Sequence, residues 1–284
     1  MKQLVVISGK GGTGKTTMTA SLATLAGRAA VVADCDVDAP DLHLLLNPKI
    51  RETHDFFGLK IAAIDPERCT ECGECERACR FGAIHNFKVD SRGCEGCRVC
   101  TIVCPSEAVS MVERVSGHAF VSETRFGTMV HAELFPGEEA SGKLVTMVRE
   151  LAVKVAEREK KEMVLIDGSP GIGCPVIASI TGTDVALVMT EPSISGAHDL
   201  ARILEVAEYF GVEALVCVNK YDLNPEMTGE IDRLCRELNV DVIGKLPFDP
   251  AVVEAMISEK TLVEVEGPVG EAVRSVWDRI RTKL

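Results

Sequence analysis

No window of the chain reaches eighteen apolar residues, so no transmembrane helix is expected. The opening segment MKQLVVISGKGG is apolar only briefly and lacks the small-residue cleavage site of a secretory leader. No run of Lys and Arg stands out, and the formal net charge is −12. An acidic chain of this kind is a poor binder of nucleic acid or of an anionic lipid surface, so neither nucleic acid nor stable membrane association is expected. The six histidines form no ligand-spaced pair; single ones such as His118 and His131 read as structural or solvated. These absences point to a cytoplasmic protein. In that compartment clustered cysteines serve metal or redox chemistry more often than disulfides.

What is present is 284 residues, room for one large domain and a small one. Hydrophobic residues make up 46%, enough for a sizeable core. Of the twelve cysteines, eight fall between Cys69 and Cys104, whereas Cys35, Cys174, Cys217 and Cys235 are scattered. Residues 3–7 and 30–34 read as buried strands, and residues 163–167, 185–190, 214–219 and 242–246 as four more. Helical segments separate them, from about Thr16 to Gly27 and over residues 142–160, 196–210 and 226–238; residues 118–135 alternate like a strand pair. Continuous apolar strands alternating with helices predict an α/β fold with a mostly parallel sheet covered on both faces. Composition changes near Asp65: long apolar runs disappear and Cys and Gly become dense, as in an inserted module. The expected division is a discontinuous domain, 1–60 and 115–284, interrupted by a small α+β domain over 61–114.

Gly9 to Thr16, GKGGTGKT, follows the first strand and opens the first helix. Gly9, Gly14, Lys15 and Thr16 fit the phosphate-loop pattern of glycine, four residues, then Gly-Lys-Ser/Thr. The backbone of Gly11, Gly12, Thr13 and Gly14 is expected to cradle phosphate, helped by the helix N-terminus and Thr17. Lys15 is expected to neutralise the β- and γ-phosphates of ATP, and Thr16 to bind Mg²⁺. Asp34, Asp36 and Asp38 end the second strand, and Asp167 ends another before Gly-Ser-Pro-Gly. An acid at a buried strand end near such a loop suits Mg²⁺.

Lys10, a second lysine early in the loop, resembles the deviant Walker A motif of the MinD/ParA/Mrp ATPase superfamily, to which nitrogenase iron protein also belongs. The resemblance covers residues 1–50 and 115–284. It implies a homodimer with nucleotide at the interface, across which Lys10 reaches the other subunit's ATP. It implies a water-positioning role for Asp36, with solvation of a strand end as the alternative for these acids. Residues 168–173 resemble switch II. Asn219 and the segment at Pro247 resemble base-binding positions, Asn219 as an ordinary turn residue being the other reading.

Cys69, Cys72, Cys75 and Cys79 form one CxxCxxCxxxC run; Cys94, Cys97, Cys100 and Cys104, followed by Pro105, form a second. This spacing resembles two-cluster bacterial ferredoxins, in which the fourth cysteine of each run ligates the other cluster. The resemblance implies one [4Fe-4S] cluster on Cys69, Cys72, Cys75 and Cys104, and another on Cys94, Cys97, Cys100 and Cys79. Gly73, Gly93 and Gly96 allow tight turns around the ligands, and Ala83, Ile84, Ala108 and Val109 can pack over the clusters. Arg80 departs from the pattern, standing where proline usually follows the fourth cysteine. Two Cys₄ zinc sites are the alternative. Cys174, shortly after Asp167, stands near where nitrogenase iron protein carries a cluster ligand; a small buried residue is the plainer reading. The implied activity is ATP hydrolysis gating electron delivery to a redox or metalloenzyme partner, with assembly of a metal or iron–sulfur centre as the alternative. Spatial positioning of the MinD or ParA kind is a third class.

Overall fold

The computed structural model describes residues 1–138 and 141–284. The chain begins with β1 (Lys2–Ser8), α1 (Lys15–Ala26), β2 (Ala30–Asp34), α2 (Leu42–Leu46) and β3 (Lys49–Phe57). The cysteine-rich stretch adds β4 (Ile61–Ile64), α3 (Glu74–Ala78), β5 (Ile84–His85), β6 (Lys88–Val89), α4 (Val99–Val103) and β7 (Val109–Val112). Then come β8 (Val115–Thr124), β9 (Gly127–Leu134), α5 (Ser141–Arg158), β10 (Met163–Pro170), α6 (Cys174–Ile180), β11 (Val185–Thr190) and α7 (Ile194–Tyr209). The chain closes with β12 (Glu213–Asn219), α8 (Pro225–Glu237), β13 (Asp241–Leu246), α9 (Ala251–Ile257) and α10 (Pro268–Arg281).

Two compact units result: Met1–Thr53 with Ala119–Glu133 and Ser141–Leu284, and His54–His118 with a segment starting at Leu134. The second unit therefore begins earlier than the change in composition. Polar, alternating residues such as Glu52 and His54 carry no cysteine signal, and β3 was absent from the sequence reading.

The large sheet runs β13-β12-β11-β1-β10-β2-β9-β8-β3. From β13 through β9 neighbouring strands pair parallel. Leu4, Val5, Val6 and Ile7 of β1 are wholly buried, as are Val185 to Val188 of β11, because helices cover both faces. Helix starts follow local chemistry. The Ser193 side chain accepts the Gly196 N–H at the start of α7, and the Asn224 side chain accepts the Met227 N–H at the start of α8. In α10, Val269, Val273, Val276 and Ile280 recur at helical spacing and are buried, so this segment is a core helix. The chain moves from β1 to β2 on one side and from β10 to β11 on the other. This reversal opens a crevice beyond the carboxyl ends of the central strands.

The second unit is built from two copies of one device. Each cysteine run makes a turn, a five-residue helix (α3 or α4) and an exit, with Cys75 and Cys100 buried in the helices. The residue before each helix is left-handed, Gly73 at φ 76° and Arg98 at φ 66°, and Cys79 and Cys104 end the helices in extended geometry. Strand β4 pairs antiparallel with β7, and β5 with β6. Of the three glycines expected to turn, Gly73 and Gly96 adopt positive φ. Gly93 turns without it, and a Cβ there would meet Ala83 at an ordinary 3.5 Å, so neither its backbone freedom nor its small size is required. Among the described residues no helix is long and apolar enough to cross a membrane.

Candidate functional site

The loop from Gly9 to Thr16 leaves β1 at its carboxyl end, inside the crevice. Gly14 is left-handed at φ 91°, and a Cβ there would sit 2.6 Å from the Asn219 amide nitrogen. Asn219, at the end of β12, donates from Nδ2 to the Thr13 carbonyl at 3.0 Å and so pins the loop from outside. Gly11 and Gly12 instead face open space, where a Cβ would meet nothing within 4 Å. Their backbone borders a cleft of about 690 Å³, large enough for a nucleotide-sized ligand. Gly14, Lys15, Thr16 and Thr17 continue its wall; Asp36, Asp38, Ser169, Asn219 and Lys220 supply polar groups, and Leu246, Val252, Val253 and Met256 an apolar side. Leu246 lines the cleft; Pro247 beside it is not among the lining residues.

Below the loop lie three carboxyl groups and one ammonium. Lys15 is only 5% exposed, with Nζ 3.5 Å from Asp36 Oδ2. Asp167 is wholly buried; the Thr19 hydroxyl donates to its Oδ1 at 2.9 Å, while among the described residues Oδ2 has no hydrogen-bond partner. Asp34 Oδ1 accepts the Asp36 N–H at 3.1 Å, and its Oδ2 is also without a partner. Burial pushes the Asp167 carboxyl up to about 6, against the pull of Lys15 and of the Thr16 and Thr19 hydroxyls. Burial, then the neighbouring Asp167, drives Asp34 well above the usual carboxylate range, and burial also raises Asp36 despite Lys15. Unpaired buried carboxylate oxygens beside a polar cleft suit a hard divalent cation completed by phosphate oxygens.

These shifts predict a pH effect. A carboxyl raised in the folded state stabilises the fold only while protonated. Its contribution is complete below the unfolded value near 3.8 and is lost as pH rises through about 6. Asp167→Asn should therefore stabilise the nucleotide-free protein above pH 6 by about 3 kcal/mol. That advantage should close as pH falls toward 4. Urea unfolding across this range, without Mg²⁺, measures the gap; a gap that does not change with pH refutes the assignment.

Lys10 turns away from the cleft. Its Nζ contacts Glu191 Oε1 at 2.6 Å and the hydroxyls of Ser193 and Ser195 at 3.2 and 3.1 Å. Lys220 meets the other Glu191 oxygen at 3.5 Å. The sequence reading missed Glu191 and Thr19. Both were findable: Glu191 directly follows a strand at its carboxyl end, as Asp167 ends one, and Thr19 lies one helical turn after Lys15.

The eight clustered cysteines line two separate cavities. Cys69, Cys72, Cys75 and Cys104 line one, with Ile64, Ala108 and Val109. Cys79, Cys94, Cys97 and Cys100 line the other, with Ala62, Ala83, Ile84 and Met111. Backbone N–H groups of Ala62, Ala83 and Ala108 point at the sulfurs of Cys94, Cys79 and Cys104 at 3.3–3.4 Å. Burial raises the Cys75 and Cys100 thiols, and the Ser106 hydroxyl holds Cys104 down. Among the described residues no three His, Cys, Asp or Glu side chains converge where one ion could sit. Cys174 opens α6 and is exposed, unlike the small buried residue of the plainer reading; Cys35, Cys217 and Cys235 are buried.

The chain matches the family described as the CobQ/CobB/MinD/ParA nucleotide binding domain over residues 4–263. An uncharacterized protein of Methanocaldococcus jannaschii is 31% identical over 283 residues, covering 98% of this chain and 96% of that one. The cytosolic Fe-S cluster assembly factor Nubp1 homolog of Drosophila willistoni is 21% identical over 174 residues, 54% of each chain. In fold, the chain resembles the septum site-determining protein MinD complexed with Mg-ADP from Pyrococcus horikoshii, with a TM-score of 0.63 at 19% identity over 98% of this chain and 95% of that one. With the phosphate loop, the buried acids and the nucleotide-sized cleft in place, the chain belongs to the CobQ/CobB/MinD/ParA nucleotide-binding family and is a P-loop ATPase of the MinD/ParA type.

Proposed function

We propose that this ATPase carries two [4Fe-4S] clusters in the unit inserted around residues 61–114, and couples a nucleotide-driven homodimer switch to electron transfer to a partner protein. The observation that carries the reading is the sorting of eight cysteines into two cavities. Each cavity takes three cysteines from one run and the fourth from the other. Four thiols ringing a cavity, rather than converging on a point, suit a cubane better than a zinc ion. Bound clusters would supply one-electron transfer. The chain's own part is to hold them by these cysteines, to aim N–H groups at the sulfurs and to cover them with Ala83, Ile84, Ala108 and Val109.

In the nucleotide site Lys15 neutralises the β- and γ-phosphates and the loop N–H groups cradle them. Thr16 and Asp167 hold Mg²⁺, Asp36 orients the attacking water, and Asn219 flanks the base. Lys10 acts across the dimer. To do so it must leave Glu191, so dimer formation has to replace that ion pair.

The similarity to the Nubp1 homolog favours a second reading, an ATPase that assembles a metal or iron–sulfur centre on a target enzyme. Anaerobic reconstitution tests the common core: about eight iron and eight sulfide per chain are expected. About two zinc ions and no sulfide would replace the proposal with structural zinc sites. Transfer of labelled iron from the loaded protein to an apo-protein would favour assembly, and retention of the label would favour electron transfer.

A further inference from the structure

The two cysteine runs superimpose residue for residue in sequence, so each end of the inserted unit is an internal control for the other. Cys69 corresponds to Cys94, Cys72 to Cys97, Cys75 to Cys100 and Cys79 to Cys104. At the end holding Cys69, Cys72, Cys75 and Cys104, the intervening positions are what a ligand loop needs and little more. Gly73 takes the left-handed turn, Glu74 and Arg77 pair with each other, and Pro105 and Ser106 follow the last cysteine. The nearby Arg68 is also paired, with Glu107 at 3.6 Å.

The other end differs at every one of these positions. Arg98 stands where the first run has Gly73, and keeps the same left-handed backbone at φ 66°. Each run places one non-glycine residue at positive φ, Glu71 in the first and Arg98 in the second, so what distinguishes this end is the arginine's charge and not its backbone. Val99 and Ile102 stand where the first run has the Glu74–Arg77 ion pair, and are 40% and 81% exposed. Arg80 and Phe81 stand where the second run has Pro105 and Ser106; Phe81 is 53% exposed. Phe81, Arg98 and Val99 line the same cavity as Cys79, Cys94, Cys97 and Cys100, and Ile102 lies one turn along α4 from Val99. Arg80 and Arg98 are exposed and have no acidic partner among the described residues. Arg98 and the exposed Glu95 balance each other on the cavity lining, and Arg80, next to Cys79 in the chain but outside that lining, leaves this end with one arginine in excess.

We infer that this end of the unit, centred on Phe81, Val99 and Ile102 and flanked by Arg80 and Arg98, is the docking face for a small redox protein with an acidic surface. The inference rests on the cluster reading above and deepens it by naming the partner's chemistry and which of the two cavities it approaches. An apolar centre with arginines beside it is the composition of a protein interface. The charge argument is directional. The chain as a whole is acidic at −12, so an acidic partner is repelled by most of its surface and drawn to this end. Exposed Cys97 lies on the same rim, which puts the thiols of this cavity within reach of a docked partner.

The test uses anaerobically reconstituted full-length protein and an acidic flavodoxin as the probe, with basic cytochrome c as the counter-probe. Dissociation constants are read by calorimetry at low salt and at physiological salt, with iron and sulfide measured on the same samples. Flavodoxin should bind, more weakly as salt rises. Arg80→Glu/Arg98→Glu should weaken it at least tenfold, and Ile102→Ser several-fold with an unchanged salt dependence, all at undiminished iron content. Cytochrome c should bind the charge-reversed variant no worse than the parent. Loaded protein that ignores flavodoxin, or binds it equally well in both variants, overturns the docking face alone. Parent protein that takes up no iron overturns the cluster reading and this inference with it.

Discussion

Lys15→Ala should lower kcat/KM for ATP by on the order of 10³-fold or more. The side chain is almost fully buried and is the cation that the surrounding groups are built around. It lies 3.5 Å from Asp36, and its charge opposes the burial that raises both Asp36 and Asp167. Removing it takes away the proposed phosphate counter-charge and leaves the carboxyls facing each other alone. Two measurements follow. Steady-state hydrolysis should collapse. The pH at which the Asp167 carboxyl ceases to stabilise the nucleotide-free fold should move upward, because a protonated acid is what remains tolerable there. Hydrolysis within tenfold of the parent would show that another cation does this work.

On the proposed cluster reading, removing the two clusters should unfold the inserted unit while leaving the ATPase unit folded. The buried cluster of the inserted unit is Ala62, Cys75, Ile84, Cys100 and Val109, with Cys79, Cys94 and Cys104 among its partly buried neighbours. A core so small and so rich in ligand cysteines cannot hold a unit of this length by apolar burial alone. The strands β4 to β7, which lie wholly within it, are two to four residues long and α3 and α4 five, too short to persist without tertiary support. On the proposed reading, cluster binding and folding of the unit are therefore one process. Chelation under reducing conditions should make residues 54–118 at least tenfold more sensitive to a protease. The ATPase unit, with its own sheet and continuous core, should keep its melting temperature within a few degrees. Equal protection of the unit before and after iron removal would contradict this.

Much of the nucleotide site was legible in the sequence because backbone geometry and chemistry coincide there. Glycines at Gly12 and Gly14 are needed for positive φ, Lys15 for charge and a following helix for the anion, and this combination has few other uses. Apolar continuity announced the parallel strands, and their observed bounds differ from the expected ones by a residue or two, except that β10 runs on to Pro170. The mixed, polar strand β3 gave no such signal, and α9 was not foreseen because its Val253 and Ile257 face solvent rather than a core.

What the sequence by itself determined is whatever depends on local spacing: the phosphate loop, the order of strands and helices, and the two cysteine runs. Cysteines with two residues between them can face one cavity, whatever the rest of the chain does. Tertiary structure alone decided which groups meet across long separations. It set Asp34 and Asp167 side by side on paired strands, where burial raises both. It brought Glu191 to Lys10 and Asn219 to Thr13, and it carried Cys79 and Cys104 each to the other run's cavity, an exchange that the resemblance to two-cluster ferredoxins implied but that spacing alone does not encode. Burial and through-space charge depend on where the sheet places strand ends, and no pattern along the chain encodes those distances.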